Sequence, residues 1–213
     1  MATTRVIKRR RSDKDGINRI LLAARNEFCR AGLAGAKLDL IALEAGVSKQ
    51  LIHHYFRTKA ELYIAILDDI SASAMEELAN LDYENHDPIE ALRLFLLGVF
   101  DLFVRWPFLA GLFNDQSLYG GQHIPECREL VALSPRLMSR LEEVLDRGQK
   151  TGDFRTDIDA QEAFAASLMV VIGCFTNGKI LSSLVAVDFS VKHNVEHWRD
   201  FSVRFAVDAL QPR

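Results

Sequence analysis

The sequence predicts an all-α protein of about nine helices. Three observations carry that reading. Apolar residues recur three and four apart through most of the chain, and no stretch alternates with the period of two that a half-buried strand needs. Ser, Asp, Gly and Pro stand at the points where helices start and stop. With 213 residues, 49% apolar and 26% charged, the chain can bury a core without help from metals or disulfides.

Each element follows from its own signals. Ser12 with Asp15 three residues on resembles a capping box in its acidic form. Ile17, Ile20, Leu21, Ala24 and Phe28 follow at helical spacing, and Gly32 ends this first helix. Leu38, Ile41, Ala42 and Ala45 share one face of a short second helix that stops at Gly46. Ser48 caps a third, in which Ile52 and Phe56 lie four apart. Glu61 to about Asn80 makes a fourth. Pro88 opens a fifth, which carries Leu92, Phe95, Leu96, Val99, Phe100 and Phe103 inward until Trp106-Pro107 breaks it. A shorter segment, Leu109 to Leu118, is closed by Gly120-Gly121. Pro125 to about Lys150 is a long amphipathic helix, kinked near Pro135. Asp159 caps a helix that runs to about Leu184, and the last helix extends from about Ser190 to Ala209.

Composition excludes several classes. The three cysteines, Cys29, Cys127 and Cys174, form no CxxC pair, so neither a disulfide framework nor a multi-cysteine zinc site organises the fold, and a cytoplasmic location fits. The longest apolar run, Ala163 to Phe175, is shorter than the ~18 residues of a spanning helix. No apolar segment follows the basic N-terminus as in a secretory signal. There is no P-loop, GxGxxG, HExxH or GxSxG, so no enzyme chemistry or cofactor is indicated. His193 and His197 stand four apart beside Glu196, but no third ligand has metal-site spacing.

Charge is divided. Residues 1–62 hold 13 of the 26 basic residues but only 6 of the 29 acidic ones, a net +7, against −10 for residues 63–213. A basic first third on an acidic body points to a polyanion-binding module. The turn Ala45-Gly46-Val47 joins two short helices as in a helix-turn-helix. Gly46 supplies the left-handed backbone of a sharp helix exit. Lys49, Gln50, His53 and His54 then face outward, and their polar ends suit a DNA groove.

The segment LDLIALEAGVSKQLIHHYFRTKAEL, Leu38 to Leu62, resembles the signature of the TetR family of bacterial transcriptional regulators. Ile41-Ala42, Ala45-Gly46-Val47-Ser48, Tyr55-Phe56, Lys59 and Glu61-Leu62 carry the match, with Ala23-Ala24 and Phe28 to Gly32 upstream. The resemblance implies a basic flexible arm at 1–12, a DNA-binding domain at 13–62 and a ligand-binding and dimerisation domain at 63–213. It implies base reading by Lys49, Gln50 and His53, with Leu51 against a thymine methyl. Phosphate anchoring would fall to Ser48, His54, Tyr55 and Lys59. Two residues depart from the pattern. Ala36 stands where the family caps its second helix with Thr, with Lys37 beside it as the replacement charge, and His53 stands where Tyr is usual. Arg5, Lys8, Arg9, Arg10 and Arg11 would add phosphate or minor-groove contacts.

For the body, the resemblance implies a homodimer through the last two helices, about 159–184 and 190–209, on a palindromic DNA operator. Val191, Val195, Trp198, Ser202, Phe205 and Ala209 form a stripe along the last helix. The many middle-helix aromatics suit a small-molecule effector pocket, with Trp106, Asn114, Gln116 and Asn177 as its polar and indole contacts. The expected function is a dimeric repressor released from its operator by a ligand. An activator and a ligand-independent DNA-binding protein remain open.

Overall fold

Capping residues and glycines set the helix boundaries. The computed structural model describes residues 2–212, with side chains from Asp15 onward. The expected cap at Ser12 and the basic run Arg5, Lys8, Arg9, Arg10 and Arg11 lie outside the described side chains. Ten α-helices occur among the described residues and no strand. They are α1 (Ala2–Gly35), α2 (Leu38–Ala45), α3 (Lys49–Tyr55), α4 (Lys59–Ala79), α5 (Pro88–Arg105), α6 (Phe108–Leu118), α7 (Arg128–Thr151), α8 (Ala160–Thr176), α9 (Gly178–Leu184) and α10 (Lys192–Leu210). A 3-10 turn, Ile124–Glu126, precedes α7 and takes the place of the start expected at Pro125.

Two compact units form. The first joins residues up to Ile70 with Gly111–Arg128; the second joins Ser71–Ala110 with the chain from Glu129 on. In the first unit, Ile20, Ala24 and Phe28 of α1 are buried, as are Ile41 and Ala45 of α2, Ile52 of α3 and Leu62 and Tyr63 of α4. Gly32 breaks α1 with φ 64° and ψ 179°, as its position after the apolar run predicts.

In the second unit, Asp87 accepts from the Glu90 N–H and Pro88 opens α5, whose Phe95, Leu96, Val99 and Phe100 are buried. Phe100 lies 4.8 Å and Phe103 5.5 Å from the Phe175 ring, pairs worth about 0.5–1.5 kcal/mol each beyond their burial. Gly148 is required: a Cβ there would stand 2.0 Å from the buried Phe154 ring. A full capping box, Asp159 with Glu162, starts α8.

The single helix expected over 159–184 is two helices, bent by 81° between α8 and α9. Asn177 leaves helical geometry at φ −122°, ψ 9°, and Gly178 follows, a pair with weak helix propensity. The next loop folds back on the break: the Phe189 N–H donates to Ser182 Oγ at 3.0 Å, and a Cβ on Gly178 would meet Phe189 Cβ at 3.3 Å. The stripe expected along the last helix is also divided. Ser202 is fully buried with Val203, Ala206, Val207 and Leu210, while Phe201 and Phe205 are exposed. No single helix among the described residues is long and apolar enough to cross a membrane.

Candidate nucleic-acid interface

The α3 helix is positioned by caps at both sides of the turn before it. At the end of α2, Gly46 takes φ 63°, ψ 40°. The Val47 N–H reaches the Ala42 carbonyl at 3.0 Å and the Gly46 N–H reaches Leu43 at 3.2 Å, the paired bonds of a Schellman exit. Ser48 Oγ then accepts from the Leu51 N–H at 3.2 Å, satisfying a free donor of α3. Such a cap is worth about 0.5–2 kcal/mol. Ile52, 1% exposed, pins α3 to the core.

With Ile52 inward, Ser48, Lys49, Gln50, His53 and His54 are all exposed, one polar face of a seven-residue helix. Leu51 is half-buried: Gly16 of α1 approaches so closely that a Cβ there would stand 3.9 Å from Leu51 Cδ2. Tyr55 is half-buried, edge-to-face with His54 at 5.1 Å. Lys49 Nζ sits 3.0 Å from Asp39 of α2, an exposed ion pair between α3 and α2.

Three side chains fix the corner between α1 and α2. Glu27, 5% exposed, accepts from the Lys37 N–H at 3.0 Å and pairs with Arg30 at 2.7 Å. Burial alone would raise its carboxyl; the Arg30 and Lys37 bonds and charges outweigh that and hold it below the ordinary value. Lys59 Nζ donates to the Ala34 and Ala36 carbonyls at 3.1 and 3.0 Å, so two of its three protons serve the backbone. Asp115 of α6 accepts from the Leu33 N–H at 3.2 Å and from Tyr63 Oη at 2.6 Å. Its carboxylate lies over Gly32, where a Cβ would be 2.5 Å from Oδ1. The N-cap of α2 is Lys37, with no side-chain cap bond, while Ala36 is buried. The cap position expected at Ala36 is thus corrected by one residue, because Ala36 turns into the core. Sequence periodicity finds none of these clamps: Glu27 sits on an apolar face, and Asp115 meets Leu33 from 82 positions away.

The four effector candidates divide between the units, Asn114 and Gln116 in the first and Trp106 and Asn177 in the second. Gln116 is buried, Trp106 half-buried, and Asn114 and Asn177 exposed. Asn177 Nδ2 donates to Thr176 Oγ1 at 3.0 Å. In the second unit, an apolar cavity lined by Leu92, Phe95, Val144, Phe164 and Ser167 includes none of them and encloses about 20 Å³, room for one or two waters. The cysteine thiols are pushed up by burial, Cys29 and Cys127 to about 11 and Cys174 to about 12, so none is a thiolate at neutral pH.

A capped helix-turn-helix, with its reading face exposed and a helical body attached, defines a DNA-binding regulator. Family comparison makes the class specific. Residues 20–66 match the profile of bacterial regulatory proteins of the tetR family, and residues 88–206 match a tetracyclin repressor-like C-terminal domain. The chain belongs to the TetR family of transcriptional regulators. It is 31% identical to the HTH-type transcriptional repressor NicS of Pseudomonas putida over 90% of this chain and 91% of that one. It is 29% identical to the HTH-type transcriptional regulator RutR of Escherichia coli over 86% of this chain and 73% of that protein. Among solved structures, a Streptomyces coelicolor protein superposes with a TM-score of 0.69 at 26% identity, covering 92% of this chain and 98% of that one. The fatty acid degradation regulator FadR of Bacillus halodurans shares the fold, with a TM-score of 0.71 at 18% identity, over 93% and 97%.

Proposed function

We propose that this protein is a dimeric, cytoplasmic repressor that binds a palindromic operator and leaves it when a small-molecule effector binds. The observation that carries DNA reading is the exposed row Ser48, Lys49, Gln50, His53 and His54 on a helix fixed by Ser48 and Ile52. Gln50 suits an adenine edge and Lys49 a guanine edge, with His53 beside them and Leu51 at a thymine methyl. Ser48, His54, Tyr55, Lys37 and the remaining proton of Lys59 suit phosphates. The named repressor among the relatives supports the direction of control.

The dimer would form on the last helices. Met169 of α8, Ile180 and Leu184 of α9, and Phe201 and Phe205 of α10 are 39–75% exposed, an apolar display that a single copy leaves in water. A two-fold pair would place the reading helices in successive major grooves, ~34–36 Å apart. Of the four effector candidates, Gln116 would be the buried contact, with Asn114 on the same helix, α6. The α4 helix, which starts at Lys59, would carry the change to the reading head. Coupling of about 1–3 kcal/mol would weaken operator binding 5–150-fold.

Selection of bound fragments from a random DNA pool, at near-physiological salt, tests the reading. A palindrome with half-sites about one turn apart is expected. Folded protein that recovers no consensus would remove the base-reading roles of Lys49, Gln50 and His53.

A further inference from the structure

Within the first unit, one buried polar atom has no partner. Gln116 is 6% exposed, and its Oε1 is the one buried side-chain nitrogen or oxygen without a hydrogen bond among the described residues. The amide orientation is dictated by its neighbours. Tyr63 Oη gives its proton to Asp115 at 2.6 Å, so it needs a donor, and Gln116 Nε2 supplies one at 2.9 Å. Nε2 also lies 3.2 Å from His123 Nδ1, which accepts the second amide proton when the ring is neutral. Turning the amide over would set Oε1 against a Tyr63 oxygen whose proton is already committed. The acceptor left over is Oε1, and the His123 ring beside the amide meets Tyr63 at 5.5 Å and Tyr119 at 5.3 Å.

The geometry points to Gln116 Oε1 as the recognition end of the effector site, taking a small uncharged molecule through an N–H or O–H donor. This inference rests on the ligand-responsive reading above. Charge excludes the alternatives. An anion would face the Asp115 carboxylate across Tyr63. A cation would find only one neutral acceptor, since Asp115 Oδ2 is already held by Tyr63 and the Leu33 N–H. An alcohol, phenol or amide supplies the one donor that this acceptor lacks. The site also reaches the DNA side of the unit. Any shift of the Gln116–Tyr63 bond disturbs the Tyr63–Asp115 bond, and Asp115 holds α1 at Gly32 and Leu33.

The test titrates the full-length protein with acetamide and phenol, each against its donor-free counterpart, N,N-dimethylacetamide and anisole. Thermal midpoint and operator affinity are read together. The donor probes should raise the midpoint and weaken operator binding, up to the 5–150-fold of ordinary coupling, while the counterparts stay inert. Gln116→Met, similar in volume but lacking the acceptor, should erase the difference within each pair; Gln116→Leu serves if that variant does not fold. Equal responses to a donor and its counterpart would mean apolar filling alone and would overturn the inference. So would a donor response that survives Gln116→Met, or no response to either donor. Operator binding without probes separates the two levels. If free protein selects no DNA, the regulator reading falls; if it binds DNA but no probe acts through Gln116, only this inference falls.

Discussion

Both units use side-chain clamps on backbone groups, but they place them differently. In the first, four side chains grip backbone groups at a corner or cap: Glu27 on Lys37, Asp115 on Leu33, Lys59 on Ala34 and Ala36, and Ser48 on Leu51. In the second, Arg147 holds the Tyr83 and His86 carbonyls and Gln149 those of Arg155 and Ile158, all in loops, while the helices meet through rings, Phe95 against Phe164 and Phe100 and Phe103 against Phe175. A hydrogen bond to a backbone group needs one residue type in one place. An apolar core accepts several side chains of similar volume. A DNA-binding head must present its helix at a fixed angle, and its clamps gather at the turns that lead into α2 and α3. In the body the clamps fasten loops to α7, and helix-to-helix packing is left to apolar rings.

The largest break of that contrast comes from the small apolar core under the clamps. Ile52→Ala should cost about 2–5 kcal/mol, because Ile52 is 1% exposed and the short α3 has no other wholly buried side chain. Urea unfolding followed by helix signal would measure it, and operator binding should vanish with it. A loss under 1 kcal/mol would mean that the polar clamps hold α3 without the core. In the body, Gly148→Ala should cost about 1–3 kcal/mol by driving Phe154 off α7. Phe154→Leu in the same chain should recover part of the loss. The head would show no such volume rescue at Asp115, where shape is not what is recognised.

This difference also governs what the sequence reveals. Gly32, Gly46, Ser48 and the outward row from Lys49 to His54 were all readable, because each is a residue type that a turn, a cap or a groove demands. The clamps were not. Glu27 occupies a helix position that periodicity gives to the core, and Lys59 looks like a free surface charge until its carbonyl partners are placed by folding. In the body, apolar character runs on through Asn177, so the break between α8 and α9 was hidden; it depends on Phe189 returning over Gly178. The stripe along the last helix puts Ser202 with Phe205, whereas folding buries Ser202 and leaves Phe205 exposed. Gln116 was visible as a polar residue among aromatics, but its unanswered oxygen is a property of tertiary placement.

Acid should loosen the α1–α2 corner next. Glu27 titrates below the ordinary glutamate value of 4.5 when folded. A lowered folded pKa means that its stabilisation is present above the unfolded value and is lost as pH falls through the folded one. Operator binding and the α1–α2 corner should therefore weaken below about pH 4.5. Glu27→Gln keeps an acceptor for the Lys37 N–H but loses the Arg30 pair, so it should cost about 1 kcal/mol near neutrality and flatten this part of the acid profile. Hydrogen exchange at Lys37, followed across pH 3–6, reports the corner directly. An unchanged profile in Glu27→Gln would assign the acid loss to another carboxylate.

The smallest expected effect tests whether the polar head is fully preset for DNA. Lys49 is paired with Asp39 at 3.0 Å, and both are exposed, so the pair contributes under about 1 kcal/mol to folding. It must still be broken or shared before Lys49 can reach a base, and Asp39 brings a negative charge toward the phosphates. Asp39→Asn should leave the thermal midpoint nearly unchanged and tighten operator binding by less than about fivefold, with most of the gain at low salt. If the gain persists unchanged at high salt, the pair restrains Lys49 through geometry rather than charge. If binding weakens instead, Asp39 orients Lys49 for the guanine edge, and the head is more completely preorganised than the exposed pair alone implies.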